Sequence, residues 1–238
     1  MTGISTDEIA TRITKELAST TFGCSVLTPL SGGTANFIFK GQLLKPLDDG
    51  TTEVVVKHGE GYSASSSSLK LSTDRCTLEH DCLKAAETRL PPASSDAYSV
   101  RTPKVYLYNP ESSTQVQEYL PNALDLKTYA LKHFSASTPA SASHQIIEVG
   151  RGLGLWLRSF HAWAASQEPL RALARTNGEM QVIKLNYNYG LLLRRVDSFP
   201  NILADAKAVF EDVFAMAKAE LGDEDKLQVI HGDFWTGK

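Results

Sequence analysis

The sequence is short of the features that define several classes of protein. It contains only 3 cysteines, and Cys24, Cys76 and Cys82 form no CxxC pair, which argues against a disulfide framework and a zinc ribbon. No apolar run approaches the roughly 18 residues that a membrane-spanning helix needs. The N-terminus has no basic region followed by an apolar stretch, as a secretory signal would. We therefore expect a cytoplasmic protein with reduced thiols and no membrane partner.

Neither sign of charge is in excess. The chain has 24 lysine and arginine residues against 27 aspartate and glutamate residues, a formal net charge of −3 at pH 7. Proteins that bind nucleic acid usually carry a basic patch or stripe, so we expect no nucleic-acid partner. The 6 histidines are scattered without the paired spacing of metal ligands, which disfavours a zinc site. These absences leave a small molecule as the predicted partner.

Several common enzyme motifs are missing as well. The sequence contains no GxxxxGK[ST] and no GxSxG segment, which disfavours a Walker-type NTPase and an α/β-hydrolase. The segment GRGLG, from Gly150 to Gly154, could suggest a dinucleotide site, but it lies in an apolar helical stretch and follows no strand. We interpret its glycines as sites of close helix packing. Trp156, Phe160 and Trp163, at helical spacing, are interpreted as core residues.

What is present in the first 120 residues is a series of short apolar segments separated by turn residues, which is typical of antiparallel strands. The five predicted strands are 24–30, 37–44, 52–57, 104–108 and 114–120. A leading amphipathic helix is predicted by a capping-box spacing between Ser5 and Glu8 and by apolar residues on one face. The members of that face are Ile4, Ile9, Ile13 and Leu17.

Between the third and fourth strands, the glycines and serines of residues 58–72 predict a mobile loop. A helix follows over 73–90, with a stripe of Leu78, Cys82 and Ala85 predicted to face inward, and Pro91-Pro92 ends it.

Past residue 121 the pattern becomes helical. Helices are predicted over 124–134, 145–163 and 189–221, the last broken or bent near Pro200, and a final strand is predicted over 227–230. We therefore predict an α+β fold with two lobes. Residues 1–120 form a lobe of five antiparallel strands with one inserted helix, and residues 121–238 form a mainly helical lobe.

A glycine-rich turn, SGGTAN, joins the first two predicted strands. Adjacent glycines permit positive φ and expose backbone N–H groups, which a loop needs in order to cover phosphates. Further along, Lys57 ends an apolar strand, where its ammonium could lie beneath the turn and bind an anion. Glu79 lies within the inserted helix. Each feature also has a plain structural explanation, because hairpin turns need glycine and surface lysines and glutamates are usually solvated.

The last feature is the apolar segment Val229-Ile230, which leads into His231-Gly232-Asp233. A carboxylate in a loop directly after a buried strand is well placed to orient or deprotonate a substrate hydroxyl. The order along the chain is a glycine turn, a strand lysine, a helix glutamate, a strand ending in QEYL and then the aspartate loop. This order is the layout of a kinase that binds nucleotide between two lobes.

On these residues the sequence resembles the aminoglycoside phosphotransferase and choline-kinase-like family, in the branch near methylthioribose kinase and fungal small-molecule kinases. The matching segments, from about residue 21 to the end, are LSGGTANFIFKGQL, VVVKH, RCTLEHDCL, VQEYLP, LGLWLRSFHAW and HGDFWTG. The resemblance implies a protein-kinase-like two-lobed fold. It also implies an ATP-dependent phosphotransferase that transfers the γ-phosphoryl group to a hydroxyl of a small metabolite, with ATP and Mg²⁺ as cofactors.

The resemblance assigns a role to each matching residue. Lys57 would hold the α- and β-phosphates of ATP and pair with Glu79, with Asp81 as the less favoured partner. Asp233 would be the catalytic aspartate that positions the acceptor hydroxyl, and His231 would support its loop. The residues of the phosphate loop would be Ser31, Gly32, Gly33, Thr34 and Asn36. The residues of the hinge that meets the adenine would be Gln117, Glu118, Tyr119 and Leu120.

The sequence departs from the family at the magnesium site. The family places a magnesium-binding asparagine where this chain has Lys238, and a protonated lysine has no lone pair for a metal. The family's second metal-binding aspartate would lie beyond residue 238. We therefore assign no metal ligand and expect a C-terminally truncated kinase domain with impaired activity, since phosphoryl transfer depends on metal charge. The alternative is a non-catalytic remnant of the kinase fold that binds nucleotide or a protein partner of unknown identity.

Overall fold

The computed structural model describes residues 4–96, 98–134 and 140–232, with the backbone alone described at 140–143 and at 204. Two compact units are present, one within residues 1–160 and the other within residues 161–233. The fold is α+β, with a five-stranded antiparallel sheet and a helical C-terminal part, and it is compatible with a kinase-like two-lobed fold. The lobe boundary after residue 120 stays a prediction.

The first unit contains the predicted sheet. Its elements in chain order are α1 (Thr6–Leu17), β1 (Cys24–Pro29), β2 (Phe37–Leu43), β3 (Glu53–His58), β4 (Tyr62–Ser63), β5 (Ser66–Lys70), α2 (Asp74–Arg89), β6 (Ala93–Ser94), β7 (Ser99–Val100), β8 (Val105–Asn109), β9 (Thr114–Glu118), α3 (Leu126–His133) and α4 (Ala140–Ala165), which continues past residue 160. The main sheet has the order β1-β2-β3-β9-β8, and all its neighbours are antiparallel. These strands confirm the five that the sequence predicts.

Helix α1 begins at the predicted capping box. The backbone N–H of Glu8 donates to the Ser5 hydroxyl at 3.2 Å, and the Glu8 carboxylate accepts from the Ser5 backbone N–H at 2.9 Å. The face of α1 that carries Ile9, Ile13 and Leu17 is fully buried. Ile4, which the pattern places on the same face, is exposed because it precedes the N-cap and lies outside the helix.

The strand register gives the main sheet two different faces. Val56 lies between Phe39 on β2 and Val116 on β9, and all three belong to the fully buried apolar core that includes α1. Because successive side chains point to opposite faces, Lys57 and its ladder neighbour Gln115 lie on the other face. The apolar face is therefore closed by α1, while polar side chains are available on the opposite face.

Residues 58–72 differ from the predicted mobile loop. Most of the segment forms a small hairpin of β4 and β5, in which Tyr62 pairs with Lys70. The backbone N–H of Leu71 donates to the carbonyl of Gly61 at 3.2 Å. The serine run did not prevent pairing, because a strand only requires that its backbone groups find ladder partners.

Helix α2 confirms the predicted helix over 73–90 but buries a different face. Its buried residues are Arg75, Cys76 and Ala86. The stripe predicted to face inward is only half-buried, and its members are Leu78, Cys82 and Ala85. An arginine on the inner face cannot be anticipated from apolar spacing, since its partners lie far away in the sequence.

The second unit is helical, as expected. Its elements after α4 are α5 (Glu168–Arg175), α6 (Gly178–Leu185), a π-helical turn (Asn186–Gly190), α7 (Leu191–Val196), α8 (Pro200–Leu203), a 3₁₀ turn (Ala204–Ala206) and α9 (Lys207–Glu220). The interruption between α7 and α8 confirms the predicted break near Pro200. Of the helices that the structure describes, none is both long and apolar enough to cross a membrane.

The predicted strand over 227–230 is not formed. The segment is irregular, and among the described residues no strand pairs with it. An apolar run becomes a strand only where a ladder partner is available. The segment that follows is held in another way, because the Lys184 ammonium donates to the carbonyl oxygen of Gly232.

Candidate functional site

An ion pair between Lys57 and Glu79 lies on the face of the sheet opposite the apolar core. The Lys57 Nζ atom is 2.5 Å and 2.6 Å from the two carboxylate oxygens of Glu79. The side chains are 22% and 34% exposed, so a ligand can reach them. Asp81, the less favoured partner, contacts His80 Nδ1 at 2.9 Å instead. The structure therefore brings together the two residues that the sequence analysis paired, while their role in nucleotide binding stays a prediction.

The position of this pair follows from the two elements that carry it. Lys57 is next to last in β3 and lies between Ile38 and Gln115 in the ladder. Helix α2 supplies Glu79 one turn after Arg75. An ammonium has three donors, so a lysine that gives two of them to a carboxylate keeps one for a phosphate oxygen. The arrangement is suited to binding an anion without leaving a charge unpaired in its absence.

The glycine turn at 31–36 has the backbone that a phosphate loop needs. Gly32 has a φ of +102°, a backbone angle that residues other than glycine rarely adopt. A Cβ atom at Gly33 would lie 2.7 Å from the Asn36 carbonyl oxygen and 2.8 Å from Ile38 Cδ1. Glycine is therefore required at both positions, the first for conformation and the second for space.

The turn is tied to the hairpin that follows β3. The carbonyl oxygen of Thr34 accepts from the Ser63 hydroxyl at 2.6 Å and from the backbone N–H of Ser65 at 3.0 Å. The side chain of Asn36 is buried, and its Oδ1 accepts from Arg75 Nη2 at 2.8 Å. Of the residues predicted for the phosphate loop, Asn36 thus has a side chain already engaged in the interior.

The predicted hinge begins on β9, two residues after the ladder neighbour of Lys57. Gln117 is buried and lies opposite Val55. The carboxylate of Glu118 forms two hydrogen bonds with Arg101, at 2.6 Å and 2.7 Å. Arg101 lowers the pKa of this carboxyl group, although burial acts in the opposite direction. The Glu118 side chain is therefore structural, and its backbone N–H already donates to the carbonyl oxygen of Lys104 at 2.9 Å.

The end of the hinge is more open. The Lys40 ammonium lies 4.8 Å from the centre of the Tyr119 ring, a cation–π arrangement. Leu120 is exposed, and its carbonyl oxygen accepts from the backbone N–H of Ala123 at 3.3 Å. The role of these residues at an adenine stays a prediction.

Two residues to which the sequence assigns no role lie in the same region. Gln115 is only 2% exposed, and its Nε2 has no hydrogen-bond partner within the described part of the chain. A buried amide without a partner is uncommon and marks a place where a ligand or water can bind. Arg75 contacts the glycine turn from α2. The only available signal was the two-residue spacing of Gln115 and Gln117, which puts both on one face of β9.

The remaining predictions concern the C-terminal residues, the GRGLG segment and the aromatic residues of α4. Asp233 and Lys238 lie outside the described residues. Gly152 lies in α4, where an added Cβ would overlap the ring of Tyr98, a residue outside any helix. Gly150 and Gly154 have open space instead, so close packing is found at one of the three glycines and not against another helix. The rings of Trp156 and Phe160 stack 5.4 Å apart and are buried, which confirms them as core residues. Trp163 is half-buried.

Among the described residues, Lys57 offers a cation that a phosphate group could contact. The space beside Gly33 is filled by Asn36 and Ile38, and the Nε2 atom of Gln115 is buried with no partner among the described residues. By contrast, no group of three or more histidine, cysteine, aspartate or glutamate side chains among the described residues could hold a metal ion.

Comparison with known proteins gives one informative relative. No family model matches the chain. The chain is 31% identical to the phosphotransferase FrzJ of a Cladobotryum species over an alignment of 245 residues. The alignment covers 98% of this chain and 63% of the relative. The chain thus spans somewhat less than two thirds of the length of the relative that it matches.

Proposed function

We propose that this protein is an ATP-dependent phosphotransferase that transfers the γ-phosphoryl group to a hydroxyl of a small metabolite. The observation that carries the proposal is the Lys57–Glu79 ion pair on a five-stranded sheet whose first turn is a glycine loop with Gly32 at a positive φ. The similarity to a protein named as a phosphotransferase supports the same reaction class. The family resemblance of the sequence supports ATP as donor and a small alcohol as acceptor.

In this proposal the protein acts mainly by positioning. Lys57 holds the α- and β-phosphates, and Glu79 keeps the ammonium in place. The backbone N–H groups of residues 31–36 face the phosphates, and the backbone at Gln117 to Leu120 meets the adenine. Asp233 positions the acceptor hydroxyl and accepts its proton. ATP, when bound, supplies the phosphoryl group.

The location and partners belong to the proposal as well. ATP and a small hydroxyl compound are the proposed partners, without nucleic acid or membrane. We propose a cytoplasmic location, supported by Cys24, Cys76 and Cys82, all of which are free thiols.

A second candidate function is nucleotide binding without efficient transfer. The observation that favours it is Lys238, which stands where the resembling family has a magnesium-binding asparagine. An ammonium cannot ligate a metal and repels one nearby. Under this reading the nucleotide site is intact while transfer by the polypeptide 1–238 is impaired.

The test measures ATP binding and phosphoryl transfer by the purified chain. Calorimetric titration with Mg-ATP should show binding to the wild type and to Lys45→Met, a matched variant at an exposed lysine outside the site. Lys57→Met should weaken binding about 10- to 150-fold, since a hydrogen bond to a charged group contributes about 1.5–3 kcal/mol. Equal affinities of Lys57→Met and Lys45→Met would contradict the proposed site.

Transfer is followed as ADP release in the presence of a panel of hydroxyl compounds, with phosphorus NMR of the product. Release that depends on the added alcohol and is lost in Asp233→Asn supports the transferase. ATP binding without alcohol-dependent release supports the second candidate. Absence of ATP binding in the wild type would rule out both.

A further inference from the structure

Arg75 connects helix α2 to the glycine turn. Its side chain is buried, with 9% of the residue exposed. The Nη2 atom donates to the carbonyl oxygen of Ala35 at 3.2 Å and to Asn36 Oδ1 at 2.8 Å. The Nη1 atom donates to the carbonyl oxygen of Ser72 at 2.6 Å, and both nitrogens reach the carbonyl oxygen of Glu60 at 3.2 Å. One guanidinium thus joins the turn before β2, the segment after β3 and the start of α2.

The residues around this contact are closely packed, with no space for a side chain at Gly59. A Cβ atom at Gly59 would lie 3.3 Å from Asn36 Oδ1 and 3.4 Å from Arg75 Nη2, and it would overlap Cys76 Sγ. These four residues, Asn36, Gly59, Arg75 and Cys76, are called the loop anchor below. At the loop anchor, the backbone of Gly59 lies against Asn36 of the turn and against Arg75 and Cys76 of the helix, and it leaves no space for a side chain at position 59.

The acceptors of Arg75 show that this is an unusual use of a buried cation. The oxygens named above are backbone carbonyls and one amide, all of them neutral. Removing an arginine charge from water is costly, and neutral dipoles offset the cost less well than a carboxylate does. A purely structural link between two segments could be made by an uncharged side chain. The planar guanidinium does offer several donors in fixed directions, which a lysine does not.

Arg75 and Glu79 occupy positions i and i+4 of α2 and therefore lie on the same side of the helix. The same helix face holds the glycine turn through Arg75 and the Lys57 ammonium through Glu79. We propose that Arg75 is a positioning residue, which fixes the phosphate-binding turn relative to the Lys57–Glu79 pair. The inference rests on the proposed function and adds a residue to it. Arg75 does not touch the nucleotide in this proposal.

The test separates positioning of the phosphate loop from simple stabilisation of the fold. The purified chain is titrated with Mg-ATP and with adenosine, which shares the base and ribose but has no phosphates. Arg75→Lys should weaken ATP binding at least about fivefold and change adenosine binding less than about twofold. Arg89→Lys is the matched control, because the same substitution is made at an exposed position on the last turn of α2.

A second variant removes the Arg75–Asn36 hydrogen bond by changing the residue in the turn. Asn36→Ala leaves the bonds of Arg75 to Glu60 and Ser72 in place, so it carries the test if Arg75→Lys does not fold. It should also weaken ATP more than adenosine. The double variant should be no weaker than the worse single variant, because both changes break the same contact. Amide hydrogen exchange in residues 31–36 should accelerate in both variants.

The outcomes distinguish this inference from the function on which it rests. Unchanged dissociation constants for both ATP and adenosine in Arg75→Lys and Asn36→Ala would overturn the positioning role and leave the ATP site standing. Equal weakening of both ligands would overturn it too, because that is the result of a purely structural arginine. A wild-type chain that binds no ATP would overturn the proposed function and this inference together.

Discussion

Replacing Ile13 with alanine tests whether α1 is an integral part of the sheet core. Ile13 is fully buried and belongs to the same cluster as Phe39, Val54 and Val56. The substitution removes three carbon groups, and burial of each contributes about 0.8 kcal/mol, or roughly 2.4 kcal/mol in transfer free energy. The cavity left behind adds to this loss, so we expect a total of about 2–5 kcal/mol. In a chain of this size the melting temperature should fall by about 4–20 °C.

The assay is equilibrium unfolding in urea, followed by far-UV circular dichroism. Ile13→Ala should lower the midpoint with an unchanged slope, which indicates lost stability rather than a different unfolded state. Lys15→Ala, on the exposed side of the same helix, is the matched control and should change the free energy of unfolding by less than about 0.5 kcal/mol. A loss below about 1 kcal/mol for Ile13→Ala would refute the reasoning, since it would mean that α1 detaches at little cost.

Two further predictions concern ionisable side chains. Arg101→Met should cost at most about 1 kcal/mol at neutral pH, because Arg101 is 40% exposed. Arg101 lowers the pKa of the Glu118 carboxyl group. The stabilisation by this pair is therefore complete above about pH 4.3 and disappears as the pH falls through the lower pKa of the folded state. If the wild type stayed more stable than Arg101→Met in acid, the prediction would be contradicted. Burial, followed by the charges of Asp81 and Glu79, raises the pKa of the Cys82 thiol to about 11. Cys82 should therefore react with an aromatic disulfide more than about tenfold slower in the folded chain than in urea, and equal rates would contradict this.

The elements that local pattern decides were predictable from the sequence. The capping box and apolar face of α1 involve neighbouring residues only. The turn between β2 and β3 contains Gly50 at a φ of +85°, where an Asp-Gly pair is favoured. The segment 227–230 shows the limit of the same reasoning, because strand formation needs a partner that an apolar run does not specify.

The contact between Lys57 and Glu79 could be predicted, because the family resemblance pairs these two residues. The positions of Arg75 and Gln115 could not, because they depend on contacts that only the fold creates. Lys57 and Glu79 stand in recognisable segments, and the structure places them in contact. From the sequence, Arg75 is only a polar residue at the start of a helix. Its contact with Asn36 could not be predicted, because the two residues are 39 positions apart. Gln115 joins the face of Lys57 only through the register of β3 with β9, which no local pattern reveals.

The most direct test of the central claim, that Lys57 faces a bound nucleotide, is affinity labelling. An adenosine with a sulfonyl fluoride at its 5′ end binds as a nucleotide and forms a sulfonamide with a nearby amine, releasing fluoride. Peptide mass mapping should find the label on Lys57, and excess ATP should prevent it. A label on other lysines with Lys57 unmodified, or a Lys57 label that ATP does not reduce, would contradict the account.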